Sequence, residues 1–314
     1  MAQMYTVLTG GTGGVKIARG LAAVLPPGEL RVIVNTGDDI SFYVIKVSPD
    51  VDIVLYALAG LLNEKQGWGL VGDTFNVCEQ LSLFGEDIWF HLGDRDLAVQ
   101  LKRNQWYRSG KTPSAFARHL ARKLGVGVTV LPMTDGHVRT IVETDRGDMH
   151  FEEYLLKPSS DVRVRGIRFE GAAASCPTSA VLDALDNADV ILFGPSNPLV
   201  SINPILSLKG VRKRIQSAKA LKVGVSPIIG SQAIKGPLTR MMADLGIEVS
   251  AFGVASMYQT LLDVFVIDEK DAVLAEKINS ELGFRVVTTD IRMDRREKEV
   301  SLAQFLLEQI RRGI

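Results

Sequence analysis

The sequence predicts an α/β fold, a doubly wound Rossmann-like parallel sheet carrying an inserted, smaller helix-plus-hairpin subdomain. Three observations point there. Short, nearly continuous apolar runs recur at both ends of the 314-residue chain, as strands buried on both faces require. Helix-spaced apolar patterns separate those runs. The runs end in glycine- or aspartate-rich turns, the place where open α/β sheets bind ligands.

The elements follow in order. Tyr5 to Thr9 reads as a strand leading into Gly10-Gly11-Thr12-Gly13-Gly14. A helix is expected from Val15 to Leu25, with Ile17, Leu21 and Val24 on one face and Pro26-Pro27 as its stop. The apolar run Leu30 to Asn35 completes a βαβ unit, whose crossover is right-handed. A helix over Asp52 to Leu62 and a short one ending near Leu83 come next. Ser114 to Leu124 has an amphipathic pattern with Ser114 as N-cap. Val138 to Glu143 and Met149 to Leu155, joined by Asp145-Arg146-Gly147-Asp148, read as a hairpin. The α/β rhythm then returns. Strands are expected at Val190 to Gly194, Lys222 to Ser226 and Val264 to Asp268. Helices are expected at Pro177 to Asn187, Val211 to Ala220, Pro237 to Leu245, Ala272 to Leu282 and Leu302 to Arg312. The nucleotide-binding core is therefore assigned to 1–62 and 177–314, and the inserted subdomain, contributing to an acceptor site, to 63–176.

Composition narrows the function. Lys+Arg and Asp+Glu both number 36, so no global field draws the chain to nucleic acid or a membrane. Any phosphate must be held locally. Cys78 and Cys176 have no CxxC partner, and no run approaches the ~20 apolar residues of a membrane helix. A cytoplasmic location is the expectation.

The glycine cluster stands between a strand and a helix, where backbone N–H groups and the positive end of the helix dipole meet a phosphate. Its spacing matches neither the GxGxxG dinucleotide fingerprint nor a Walker loop, which weighs against NAD or ATP. Asp38, Asp39, Asp50 and Asp52 lie on two turns that can carry Mg²⁺, a cation suited to carboxylates plus phosphate oxygens. Helix capping is the alternative for Asp50 and Asp52. Asp94-Arg95-Asp96 is either a surface salt-bridge cluster or an oriented Arg for a substrate oxygen. Gly194, Ser196, Asn197 and Ser201 form a polar turn after one strand. Ser226, Pro227 and Gly230 repeat the theme, with Lys235 before a helix as a phosphate partner. His119 is read as a surface residue without a catalytic role.

Together these motifs resemble the 2-phospho-L-lactate transferase family of coenzyme F-420 biosynthesis, over essentially the whole chain. The resemblance is carried by GGTGG (10–14), NTGDD (35–39), GWG (67–69), GDTF (72–75), LGDRDLA (92–98), GPSNPLVSINPIL (194–206), SPIIG (226–230), KGP (235–237) and DVFVID (263–268). It implies a guanosine diphosphate donor bearing a three-carbon acid, the deazaflavin Fo as acceptor, GMP as product, Mg²⁺ as cofactor and a homodimer. It also implies a nucleotide site at Gly11, Thr12, Gly13, Gly14, Gly194, Ser196, Asn197, Ser201, Ser226, Pro227, Gly230 and Lys235. Metal and catalytic work falls to Asp38 and Asp50, and acceptor contacts to Asp39, Asp52, Asp94, Arg95 and Asp96. Ser231-Gln232 and Met257 depart from the family pattern and bear on donor preference. A second reading, a nucleotide-sugar-binding regulator of the same fold, is weakened because Asp38-Asp39 runs into Ile40-Ser41-Phe42-Tyr43 rather than a glycine-serine loop.

Overall fold

A computed structural model describes residues 3–157, 162–234 and 236–313. Among the described residues the core is a seven-stranded parallel sheet. Its spatial order is Thr129–Pro132, Leu30–Val34, Tyr5–Thr9, Val190–Phe193, Leu221–Val225, Val264–Asp268 and Arg285–Thr289. From Tyr5–Thr9 the chain winds outward in one direction to Thr129–Pro132, then restarts at Val190–Phe193 and winds the other way. The reversal leaves a crevice at the carboxyl ends of Tyr5–Thr9 and Val190–Phe193, the switch point where such sheets bind ligands.

Alternation along the strands divides the core into two layers. Leu8, Ile33, Ile191, Phe193, Phe265 and Ile267 pack against helices that include Ser179–Asp186 and Ala251–Met257. Val7, Val32, Leu192, Val264 and Val266 face the first helix, Gly11–Val24, with Pro49–Leu58 and Arg296–Arg311 beside it. A satellite cluster of Ile40, Phe42, Val47, Cys78, Phe90 and Leu92 supports the hairpin Ile40–Phe42/Ile45–Val47. Arg139–Thr144 pairs with Gly147–His150 and Val164–Glu170 in a three-stranded antiparallel sheet.

Several expectations change. The first helix begins at Gly11, inside the glycine cluster, rather than at Val15. Thr112, not Ser114, caps Pro113–Lys123, its side chain accepting the Ala115 N–H at 3.2 Å. The second hairpin strand stops at His150, and Phe151–Leu156 is a helix. His150 closes a capping box there with Glu153, which outweighs the β pattern of the following apolar residues. Thr129–Pro132, placed by sequence in the 63–176 insertion, is the edge strand of the main sheet. The helix Asp94–Arg108 goes unread because it carries almost no amphipathic signal. Among the described residues no helix is long and apolar enough to cross a membrane.

Candidate functional site

The glycines are required first by packing. A Cβ on Gly13 would lie 2.2 Å from the Pro195 carbonyl oxygen, and one on Gly14 2.3 Å from Ser196 Oγ. The turns after Tyr5–Thr9 and Val190–Phe193 therefore press together with no room for a side chain. This closeness holds the start of the first helix at the crevice. Its first-turn N–H groups have no intrahelical acceptor. Asp50 Oδ1 accepts the Gly11 N–H at 2.7 Å, and no partner of the Thr12 or Gly13 N–H is found among the described residues.

These turns form one end of a cavity of about 440 Å³. Gly11, Thr12, Gly13, Ser196, Asn197, Ser201 and Pro227 line that end, and Asp38, Asp50 and Glu152 line the same cavity. Apolar and aromatic side chains make up much of its remaining wall, among them Ile53, Trp68, Trp89, Phe90 and Phe151. No Lys or Arg is found among its described lining residues. Among the described residues, the groups that face a diphosphate there are helix N–H groups, and an added cation would complete its neutralisation.

The three carboxylates differ in what holds them. Asp50 is buried and saturated: besides Gly11, its Oδ2 accepts from Asn35 Nδ2 at 2.9 Å. Burial raises its pKa to about 6, with the Gly11 and Asn35 hydrogen bonds pulling the other way. Asp38 is equally buried, and among the described residues its Oδ1 has no partner in hydrogen-bond geometry, although Thr140 and Asn35 stand near enough to favour its charged form. Burial first, then the charges of Asp50 and Glu152, hold its carboxyl well above the usual range. Glu152 is raised to about 8 by burial and by Asp50. Sequence reading missed Glu152 by placing it in a strand; His150 followed by Phe151 and the acidic pair Glu152-Glu153, with Glu153 three residues on, is the helix-start signal that reveals it.

An orphaned, desolvated oxygen on Asp38 beside two more acids fits a divalent cation. Among the described residues no group of three or more His, Cys, Asp or Glu side chains can hold a metal by itself. Mg²⁺ is commonly bound by one or two carboxylates and completed by substrate phosphate and water.

The other acidic residues carry structural duties. Asp52 pairs in a buried, bidentate manner with Arg103, and Gln100 Nε2 donates to it at 2.9 Å. Asp96 accepts from Tyr56 Oη and from Gln100 Nε2, each at 2.7 Å. Asp52 and Asp96 still contribute to the cavity wall, as does Tyr56. Asp39 accepts from Ser48 Oγ at 2.6 Å and is absent from the cavity lining. Asp94 lies outside the cavity and holds the start of helix Asn76–Leu83 through Thr74, Asn76 and Val77, bonds that lower its pKa to about 2. Asp73 reciprocates by accepting the Arg95 and Asp96 N–H groups, while Arg95 Nη1 donates to the Val71 carbonyl. Gly194 and Gly14 serve the tight packing of the turns behind the lining. Ser226 is fully buried against Ile228, and the Gly230 N–H is taken by Asp271 at 2.9 Å. Lys235 lies outside the described residues. His119 stacks on Trp106, away from the cavity.

A family model described as 2-phospho-L-lactate transferase CofD matches residues 5–306. The chain belongs to that family. It is similar to the 2-phospho-L-lactate transferase of Methanosarcina acetivorans, 39% identical over 301 residues that cover 96% of this chain and 97% of the relative. The phosphoenolpyruvate transferase of Streptomyces griseus is 40% identical over 308 residues, covering 96% of each. Among solved structures, a UPF0052-family protein from Bacillus halodurans superimposes with a TM-score of 0.64 at 18% identity. It covers 98% of this chain and 99% of its own, a likeness of fold alone. The chain is an enzyme of the 2-phospho-L-lactate transferase type, and the regulator reading is not favoured.

Proposed function

We propose that the enzyme moves a phospho-three-carbon-acid group from a guanosine diphosphate donor to the terminal ribityl hydroxyl of the deazaflavin Fo, releasing GMP. One observation carries the reading. Among the described residues, unpartnered N–H groups at a helix start and the buried Asp38 carboxyl, with one oxygen lacking a partner, line one cavity whose remaining wall is largely aromatic and apolar. The polar end suits a diphosphate, the apolar wall a flat heterocycle.

The first-helix turn and the Ser196-Asn197 turn hold the diphosphate. The acceptor oxygen bonds to the β-phosphorus as the bridging β-phosphorus–oxygen bond breaks, and GMP departs with that electron pair. Asp38, its pKa raised and one oxygen unsatisfied, takes the hydroxyl proton. Asp50, saturated by Gly11 and Asn35, fixes the loop against the reacting phosphate. Asp38 and Asp50 are the residues that would hold Mg²⁺, which when bound would supply charge neutralisation for phosphoryl transfer. Positioning and electrostatics can provide most of the acceleration such a reaction needs.

Two of the relatives differ in the three-carbon acid they are named for, so the donor is settled by direct comparison. The enzyme is incubated with Fo, Mg²⁺ and guanylylated phospholactate, phosphoenolpyruvate or phosphoglycerate, and GMP and product mass are followed. The expected result is GMP release from one donor well ahead of the others. No release from any of them overturns the reading. A homodimer and a cytoplasmic location belong to the same proposal, and sedimentation velocity tests the first.

A further inference from the structure

We infer that Glu64 is a positioning residue, an ion-pair tie from the donor-side helix to the hairpin that walls the acceptor's end of the cavity. The inference rests on the proposed two-substrate reading. Arg19 sits on the first helix, two turns beyond the phosphate-binding start, and is 5% exposed. Its guanidinium has two carboxylate partners. Glu299, itself 2% exposed, accepts from Nε at 2.7 Å and from Nη2 at 2.5 Å. Glu64 accepts from Nη1 and, at 3.4 Å, from Nη2.

Glu64 lies in a turn that is internally rigid. Leu62 bridges Leu70, the Asn63 N–H donates to the Gly69 carbonyl at 3.0 Å, and the Gly67 N–H donates to the Asn63 carbonyl at 2.8 Å. Trp68, at the tip, lines the cavity and packs edge-on against Phe75 at 6.0 Å. Glu64 and Trp68 therefore belong to one hydrogen-bonded turn. A second observation brings this turn and the donor loop onto common walls: Thr12 and Gly67 line both the main cavity and a second one of about 410 Å³, which Arg19 and Glu64 also line. Thr12 belongs to the donor loop and Gly67 to the acceptor wall, so the tie holds the acceptor's wall in place beside the donor loop.

The two partners of Arg19 are unequal in a way that makes the idea testable. Glu299 is buried and would keep only a longer pair with Arg296 at 3.6 Å, so losing Arg19 weakens the pairing of a buried charge and the protein suffers as a whole. Glu64 is 57% exposed. Removing it leaves Arg19 paired with Glu299, so Glu64→Ala is expected to fold.

The test is steady-state kinetics of Glu64→Ala and Glu64→Gln with Fo and donor varied independently, alongside amide hydrogen exchange of residues 61–71. The expected result for Glu64→Ala is a rise in KM for Fo of about threefold to fivefold, the scale of an exposed ion pair. The donor KM and kcat stay at wild-type values, and Glu64→Gln, which keeps a hydrogen bond, falls between. Salt should raise the wild-type KM for Fo toward that of the variant. An unchanged KM for Fo, or a parallel rise for both substrates, overturns the inference. If the wild type releases no GMP, the reaction reading fails, and exchange in the unliganded protein judges the tie alone. Faster exchange over 61–71 in Glu64→Ala supports it, and equal exchange refutes it.

Discussion

The Asp50 carboxylate accepts the Gly11 N–H at 2.7 Å across 39 residues of sequence. An acid expected either to hold a metal or to cap its own helix thus caps another helix, the one that offers its N-terminus to the donor. In Asp50→Asn one side-chain atom must become a donor, and it would face either the Gly11 N–H or the Asn35 amide. A loss of about 2 kcal/mol in stability is expected, with turnover down more than tenfold. Urea unfolding and GMP release measure the two. Wild-type values for both would refute the role.

Asp38 should behave differently. Burial and the nearby acids already disfavour its charged form, so an amide in its place gives up no favourable buried charge. Asp38→Asn is expected to melt at the wild-type temperature or higher without Mg²⁺, while losing at least about a hundredfold in turnover. Thermal melts with and without Mg²⁺ add a check: the stabilisation that Mg²⁺ gives the wild type should shrink in the variant.

Glu152 imposes a pH dependence on stability. Its folded pKa of about 8 exceeds the ordinary 4.5. Between those values the folded state binds the extra proton, so stability falls as pH rises across that window, by at most about 1.4 kcal/mol per pH unit. Removing the ionisable group in Glu152→Gln should flatten the slope. Denaturation of the metal-free protein at pH 5.5 and pH 8 is the measurement; identical slopes for the two proteins would sink the assignment.

Arg103 is 2% exposed and pairs with Asp52 beneath the cavity. Arg103→Met should cost about 3–5 kcal/mol, because Asp52 stays buried without its cation. The double variant Arg103→Met/Asp52→Leu should recover much of that loss. Chemical denaturation of the single and double variants decides it.

Gly13→Ala tests the packing of the two turns, since the new Cβ would meet the Pro195 carbonyl at 2.2 Å. Separating the turns by even a fraction of an ångström should weaken GDP binding about fivefold to 150-fold, the effect of an overpacking strain of about 1–3 kcal/mol. Calorimetric titration with GDP reads it directly, and unaltered affinity would show that the close packing is not needed for the donor.

Much of the architecture is written in the sequence because buried parallel strands need continuous apolar runs. Val264–Asp268 and Tyr5–Thr9 are legible to the residue for that reason, and their terminal turns mark the crevice. Local chemistry also marks Asp38 and the glycine cluster. What each acid does is a matter of tertiary structure. Asp50 meets Gly11, Asp52 meets Arg103 and Asp94 meets the start of helix Asn76–Leu83 only once distant segments are packed. The same carboxylate can serve as ligand, cap or ion-pair partner, and its identity alone does not choose among them. Burial and the nearest donor do, and both arise only when the chain has closed around the site.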